Sequence, residues 1–110
     1  MYRVTTPTHT YTLPMDTATL SEIQVTYKQG SVSLVKHYQD GVAPPGMTVD
    51  EDKVMIRLTQ EETKAFAAPT PVRSQVRVLT DDGSAYASQQ FSIAVGEVLN
   101  EEVLVDEHIR

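Results

Sequence analysis

The feature that most constrains the fold is a strict alternation of apolar and polar side chains along Glu22 to Gln29. Ile23, Val25 and Tyr27 point to one side of an extended chain, and polar residues point to the other. A period of two is typical of a strand with one buried face and one face in water. Valine is the commonest apolar residue and threonine is nearly as frequent, and both favour a pleated sheet. The chain is therefore predicted to be built from strands.

Five further strands are predicted from the same alternation and from the glycine and proline turns between them. They are His9 to Leu13, Val32 to Tyr38, Lys53 to Leu58, Val72 to Thr80 and Ala85 to Val95. The last of these is predicted to bulge near Gln89 and Gln90, where its apolar face is interrupted. Residues Gln39 to Val49 are predicted to form a loop, because Pro44 and Pro45 cannot occupy a central strand.

One short helical turn interrupts this series of strands. Thr59 stands three residues before Glu62, which is the spacing of a capping box, and a helix is predicted over Gln60 to Phe66. Phe66 and Phe91, the two phenylalanines of the chain, are both predicted to anchor the core. The predicted fold class is all-β: an immunoglobulin-like antiparallel β-sandwich with one short helical turn at about residues 60–66.

The length of 110 residues predicts a single domain with three parts. Residues 1–8 are predicted to be a flexible N-terminus, residues 9–96 the sandwich, and residues 97–110 an acidic and apolar C-terminal tail. The tail carries more apolar side chains than a solvated acidic end requires, and these are the predicted partner-binding residues. They are Val98, Leu99, Val103, Leu104, Val105 and Ile109.

Two alternatives remain open for this tail. Val103 and Val105 suit a strand, so the tail could complete the sandwich as an edge strand after Gly96. It could instead dock on another subunit, either by strand addition or as a short helix.

Charge and composition exclude several function classes. The net charge is −6, and the nine lysines and arginines are dispersed, so a nucleic-acid partner is not expected. Five carboxylates and one arginine give residues 97–110 a charge of −4, which leaves −2 for the rest of the chain. The chain has no cysteine, and neither a secretory leader nor a membrane span is expected, because no basic segment precedes an apolar one and no apolar run is long enough to cross a bilayer. The expected location is the bacterial cytoplasm during assembly, or the virion, without a signal peptide.

No residue pattern predicts a metal, a cofactor or a catalytic site. His9, His37 and His108 lack zinc-ligand spacing and are expected to be exposed polar residues. The acidic groups at residues 50–52 and 81–82 suit turns better than calcium loops. Glu61 and Glu62 belong to the first turn of the predicted helix, and the chain has neither a nucleophile elbow nor a phosphate-binding loop. The protein is therefore not expected to be an enzyme.

Several segments carry a resemblance to a known group of proteins. The segments are Tyr11 to Asp16, Ile23 to Gln29, Ile56 to Thr63, Val76 to Gly83 and the pair Ala87 and Ser88. Together they resemble small proteins from the tail and baseplate-fibre gene clusters of bacteriophages and prophages of Firmicutes. More distantly, they resemble the N-terminal β-sandwich of upper baseplate proteins. The resemblance implies a virion-associated or assembly role, with protein partners and no catalytic residues.

Three functions are therefore considered. The first is a structural interaction module of a phage or prophage tail, whose partners are itself or other tail proteins. The alternative is a β-sandwich module that binds a carbohydrate or a peptide; the lack of tryptophan for stacking on sugar rings counts against the carbohydrate. A hydrolase ranks third.

Overall fold

A computed structural model of the chain describes residues 1–105, which form two antiparallel sheets packed face to face. The strands are β1 (Thr8–Thr12), β2 (Leu20–Gln29), β3 (Val32–Gln39), β4 (Met47–Asp50), β5 (Lys53–Arg57), β6 (Val72–Thr80), β7 (Ala85–Ala87) and β8 (Phe91–Ile93). A 3-10 turn, Thr17–Thr19, precedes β2, and the helix α1 (Gln60–Lys64) connects β5 to β6. The predicted all-β sandwich is confirmed.

The strand order is that of an immunoglobulin-like sandwich without its first strand. One sheet has the order β1-β5-β4, and the other has the order β3-β2-β6-β7, with β8 also paired to β6. In the immunoglobulin fold these sheets correspond to strands B-E-D and C′-C-F-G. Strand A of that fold would lie beside B, which is β1 here. The position beside β1 is therefore open among the described residues.

The core lies between the sheets and is formed by the predicted inward faces. Ile23, Val25 and Tyr27 are fully buried, as the alternation in β2 predicts. Phe66 is 1% exposed and packs into the same cluster, which confirms that the chain folds back after α1. The same cluster also contains Val54, Ile56, Leu58, Val72, Val76 and Val78.

The capping box at the start of α1 is confirmed. The Thr59 hydroxyl accepts from the Glu62 N–H at 3.1 Å, and the Glu62 carboxylate accepts from the Thr59 N–H at 2.8 Å. Glu62 also forms an ion pair with the buried Lys36 of β3, whose Nζ lies 2.6 Å from Glu62 Oε2. Lys36 Nζ further donates to the Pro45 carbonyl at 3.2 Å. These contacts close one side of the sandwich. The helix ends at Lys64 rather than at Phe66, because Ala65 is its C-cap.

Part of the predicted loop 39–49 is a strand instead. β4 begins directly after Pro44, Pro45 and Gly46, pairs with β5, and buries Met47. The prolines lie before the strand and therefore cost it no ladder hydrogen bond. Gly46 has a φ of +85°, and a Cβ there would collide with the Arg57 carbonyl oxygen, so only glycine fits this approach.

The predicted long strand 85–95 is two short strands, β7 and β8, separated at Ser88 to Gln90. The predicted bulge at Gln89 and Gln90 is therefore a complete break. Ser88 occupies the gap: its N–H donates to the Val76 carbonyl at 2.8 Å, and its hydroxyl accepts from the Val76 N–H at 3.0 Å. Phe91 is 37% exposed, so the prediction that it anchors the core is wrong.

The N-terminus, residues 1–8, was expected to be flexible but is held by specific bonds. The Met1 ammonium donates to the Ala94 carbonyl at 2.7 Å, and Tyr2 forms a parallel bridge with Gly96. Arg3 Nε donates to the Phe66 carbonyl at 2.7 Å. Isolated bridges of this kind carry no periodic signature, so the sequence pattern could not reveal them.

Candidate binding groove and C-terminal segment

The side of the sandwich opposite Lys36 and Glu62 is open. There β1 of one sheet faces β7 and β8 of the other, and a groove separates them. It has a part of about 490 Å³ beside β1 and a part of about 260 Å³ that extends toward Pro14 and Met15. Both parts are lined by Leu13, Val76 and Ser88, so the groove is continuous. We call it the edge groove.

The outer edge of β1 presents unpaired backbone groups above this groove. β1 pairs only with β5 among the described residues. Hydrogen bonds from Leu13 N to the Asp52 carbonyl and from Leu58 N to the Pro7 carbonyl bracket the strand. In an antiparallel pair, hydrogen-bonded and non-hydrogen-bonded positions alternate. Odd-numbered residues of β1 therefore bond to β5, and the even-numbered threonines 8, 10 and 12 direct their N–H and C=O groups to the open edge.

Within residues 1–105, this edge lacks the protections that usually prevent pairing with another chain. Natural edge strands are blocked by lysine, proline, a bulge or a covering segment. β1 contains no proline and no lysine, its register with β5 is regular, and threonine favours strands. Pro7 and Pro14 lie just outside it and limit the available edge to about one strand length. An extended segment could therefore pair along the whole of β1.

The floor of the edge groove beside β1 is largely apolar and contains two aromatic rings. The rings of Tyr11 and Phe91 lie 5.8 Å apart, centroid to centroid, with a tilt of 55°. Val76 and Ile93 complete this apolar floor. Tyr86 borders the shorter part of the groove and is 56% exposed. Apolar side chains of a bound segment would be removed from water here.

A row of hydrogen-bonded hydroxyls lies beneath the floor. Ser74 Oγ lies 2.6 Å from Tyr11 Oη, Tyr11 Oη donates to Tyr27 Oη at 3.2 Å, and Tyr27 Oη lies 2.9 Å from His9 Nδ1. Because the Tyr11 proton is used toward Tyr27, Ser74 donates to Tyr11. The Tyr27 proton is then free for His9 Nδ1, which accepts it when the imidazole is neutral.

The electrostatics of this row agree with that direction. Burial, followed by the charge of the N-terminal ammonium, lowers the pKa of His9 below its ordinary value of 6.5. Burial, followed by the hydrogen bond with Tyr11, raises the pKa of Tyr27 well above its ordinary value of 10. His9 and Tyr27 are therefore both neutral at pH 7. Ser74 and His9 are separated by two tyrosine hydroxyls, so the histidine does not activate the serine as a base.

The predicted partner-binding residues of the tail lie in two places. Val103, Leu104 and Val105 lie against the start of α1, where the Gln60 amide donates to the Leu104 carbonyl at 2.7 Å and accepts from the Leu104 N–H at 2.8 Å. Val98 is half-buried and Leu99 is fully exposed. Ile109 lies outside the described residues. The segment 97–105 joins neither sheet, so within the described part of the tail the edge strand, one of the two alternatives, is not formed.

The other candidate groups have structural roles. His9 is half-buried rather than exposed, and the exposed His37 contacts Glu22 at 2.8 Å. Asp82 shapes the turn before β7 by accepting from the Ser84 N–H at 3.1 Å. Within residues 1–105, no three histidine or acidic side chains are grouped to hold a metal ion. No helix in the same range has the length and apolar character needed to cross a bilayer.

Sequence reasoning missed the edge groove, although one signal pointed to it. Threonines at positions 8, 10 and 12 alternate with inward residues between Pro7 and Pro14, which is the composition of an exposed edge strand. Which neighbour β1 lacks, however, depends on the whole topology.

No protein-family model matches this chain, and no curated protein matches it in sequence.

Proposed function

We propose that this protein is a non-enzymatic structural and interaction module that binds an extended protein segment along β1. The observation that carries this proposal is the outward backbone of Thr8, Thr10 and Thr12 above the edge groove. A segment added there would occupy the position of strand A in an immunoglobulin-like sandwich. It would form hydrogen bonds with the outward backbone groups of β1 and would cover the edge groove at the same time.

Strand addition divides the recognition into two parts. Backbone hydrogen bonds to β1 supply affinity without regard to sequence, and alternate side chains that enter pockets supply specificity. One inward side chain would reach the apolar floor at Tyr11 and Phe91. A second would reach the smaller part of the groove near Leu13 and Tyr86. The module is therefore expected to prefer segments with apolar residues at alternate positions.

The setting we propose is the tail or baseplate of a bacteriophage or prophage, with other tail proteins or a second copy as the partner. The resemblance of the strand-and-turn segments to proteins of Firmicutes phage tail gene clusters supports this setting. Strand addition also suits particle assembly, because it joins subunits through backbone bonds that do not depend on a particular side chain. The protein would then act in the bacterial cytoplasm during assembly and in the virion.

Peptide selection tests the proposed site. Extended peptides selected by display against the full chain should bind the wild type and lose affinity for Thr10→Pro, which removes one outward N–H without breaking the β1–β5 ladder. Ser33→Pro is the matched control. Ser33 lies at a non-hydrogen-bonded position of the edge strand β3, so its N–H also faces outward. Selected peptides that bind both variants equally would contradict the proposal.

The proposed setting has its own test. Particles produced by induction of the lysogen that encodes this chain should contain the protein, and an antibody should locate it at the tail by electron microscopy. Failure to detect the chain in purified particles, together with flanking genes unrelated to tails, would contradict the phage setting. That result would leave the strand-addition site untouched.

A carbohydrate ligand is a second candidate, favoured by the exposed rings of Tyr86 and Phe91 at the edge groove. Sugar rings stack on aromatic faces, and Phe91 and Tyr86 border neighbouring parts of one groove. Binding to a glycan array that is lost in both Tyr86→Ala and Phe91→Ala but retained in Thr10→Pro would favour the sugar over the peptide.

A further inference from the structure

The outer face of the larger sheet carries three cations that have no carboxylate partner among the described residues. Lys28 of β2 lies directly opposite Arg73 of β6, and Arg77 follows on the same face four residues later. Within residues 1–105, none of these three side chains forms an ion pair. We call Lys28, Arg73 and Arg77 the cationic face.

This arrangement disfavours the folded state of an isolated domain. Like charges directly opposite each other on neighbouring strands destabilise a sheet. The carboxylate available on these strands, Glu22, is already engaged by His37. The neighbouring side chains Gln24, Gln75 and Gln90 are neutral and line a shallow depression of about 170 Å³ with Arg73 and Arg77. The cationic face is therefore suited to an anionic partner.

The same chain carries the complementary charge. Residues 97–110 hold −4 of the net charge of −6. Arg3 forms an ion pair with Glu101, whereas Glu97 and Glu102 are exposed and form no ion pair within residues 1–105. Leu99 lies between them and is fully exposed. This short segment presents two carboxylates and an apolar side chain that its own domain does not cover.

We infer that the acidic segment Glu97–Glu102 of one copy binds the cationic face of a second copy. Arg73 and Arg77 are about 13 Å apart along the strand, from a rise of about 3.3 Å per residue. Glu97 and Glu102 span at most about 17 Å when extended, so both carboxylates can reach the face together. Val35, an exposed apolar residue opposite Thr26 on this face, offers a contact for Leu99. Two such contacts, related by a twofold axis, would form a closed dimer.

The inference is independent of the edge groove, and sedimentation equilibrium of the full chain tests it. At low salt the wild type should form a dimer whose dissociation constant rises at least about tenfold in 0.5 M NaCl, because salt screens exposed charge pairs. Arg73→Gln with Arg77→Gln should weaken the dimer to a similar degree, and so should Glu97→Gln with Glu102→Gln. The matched controls, Lys53→Gln with Lys64→Gln and Glu51→Gln with Glu61→Gln, should not.

A charge exchange makes the test specific. The double variant that carries Arg73→Glu and Arg77→Glu should be monomeric alone. The double variant that carries Glu97→Arg and Glu102→Arg should also be monomeric alone, but an equimolar mixture of the two should form a heterodimer. Lys28→Gln, a milder change on the opposite strand, should weaken the wild-type dimer in the same direction. A wild type that stays monomeric up to about 1 mM at low salt would overturn the inference. So would a dimer that the arginine variants leave unchanged, which would point to the β1 edge and leave the proposed function standing.

Discussion

The hydroxyls of Tyr11 and Ser74, 2.6 Å apart, join the two sheets beneath the edge groove. Tyr11 belongs to β1 and Ser74 to β6, and both side chains are buried. Ser74→Ala and Tyr11→Phe should each lower the free energy of unfolding by about 1–3 kcal/mol, because each leaves a buried polar partner with fewer bonds. The double variant should cost less than the sum, with a coupling of about 1 kcal/mol. Urea unfolding of the four proteins measures this coupling, and additive losses would contradict a direct bond.

The neutral His9 predicts a pH-dependent stability. Because the folded-state pKa of His9 lies below its ordinary value of 6.5, the unfolded chain binds a proton that the folded chain does not. Stability should therefore fall as the pH drops from about 6.5 toward the lowered pKa, and then level off. His9→Asn, whose amide oxygen can replace Nδ1 as the acceptor, should remove this slope. His37→Gln, a control at an exposed histidine, should keep it.

The ion pair of Glu62 and Lys36 predicts a second, more acidic transition. Burial raises the pKa of Glu62, but the hydrogen bonds from Lys36 and Thr59 outweigh burial, so the pKa lies below its ordinary value of 4.5. The stabilisation is present above pH 4.5 and is lost as the pH falls through the lowered pKa. Glu62→Gln should cost about 1.5–3 kcal/mol at pH 7, and the difference should shrink below pH 4.5. Glu61→Gln, in the same turn but exposed, should cost little at either pH; an equal loss would contradict the role of the pair.

The two phenylalanines should differ sharply in their effect on stability. Phe66 is almost fully enclosed, so Phe66→Ala should cost about 3–5 kcal/mol. Phe91 is more than a third exposed and lies at the edge groove, so Phe91→Ala should cost about 1 kcal/mol. Thermal or urea unfolding distinguishes these values. Equal losses would mean that the groove at Phe91 is closed in solution.

Local patterns predicted those parts of the fold that local forces decide. The alternation in β2 and β6 follows from burial of one face, and the capping box at Thr59 follows from backbone bonds within four residues. β4 was not predicted, because Met47 and Val49 give too short an alternation of apolar and polar residues after two prolines. The break between β7 and β8 depends on the Ser88 hydroxyl bonding to the Val76 N–H, a contact that no periodicity reveals.

The candidate site could be predicted from local sequence patterns to a smaller extent than the fold. The apolar residues of the tail predicted a segment that packs against a surface. The place where Leu104 packs, however, is determined by its hydrogen bonds with the Gln60 side chain of α1. Among the described residues β1 pairs only with β5, and Tyr2 bridges to Gly96 rather than to β1. Both outcomes depend on residues distant in sequence, so they become visible only in three dimensions.

The most direct test of the central claim is an NMR measurement of where a selected extended peptide contacts the full chain. We predict intermolecular contacts between the peptide backbone and Thr8, Thr10 and Thr12, slowed exchange of those three amide protons, and peptide side-chain contacts to Phe91. Contacts confined to the outer sheet face, or unchanged amide exchange along β1 in the saturated complex, would contradict the claim that β1 accepts a strand.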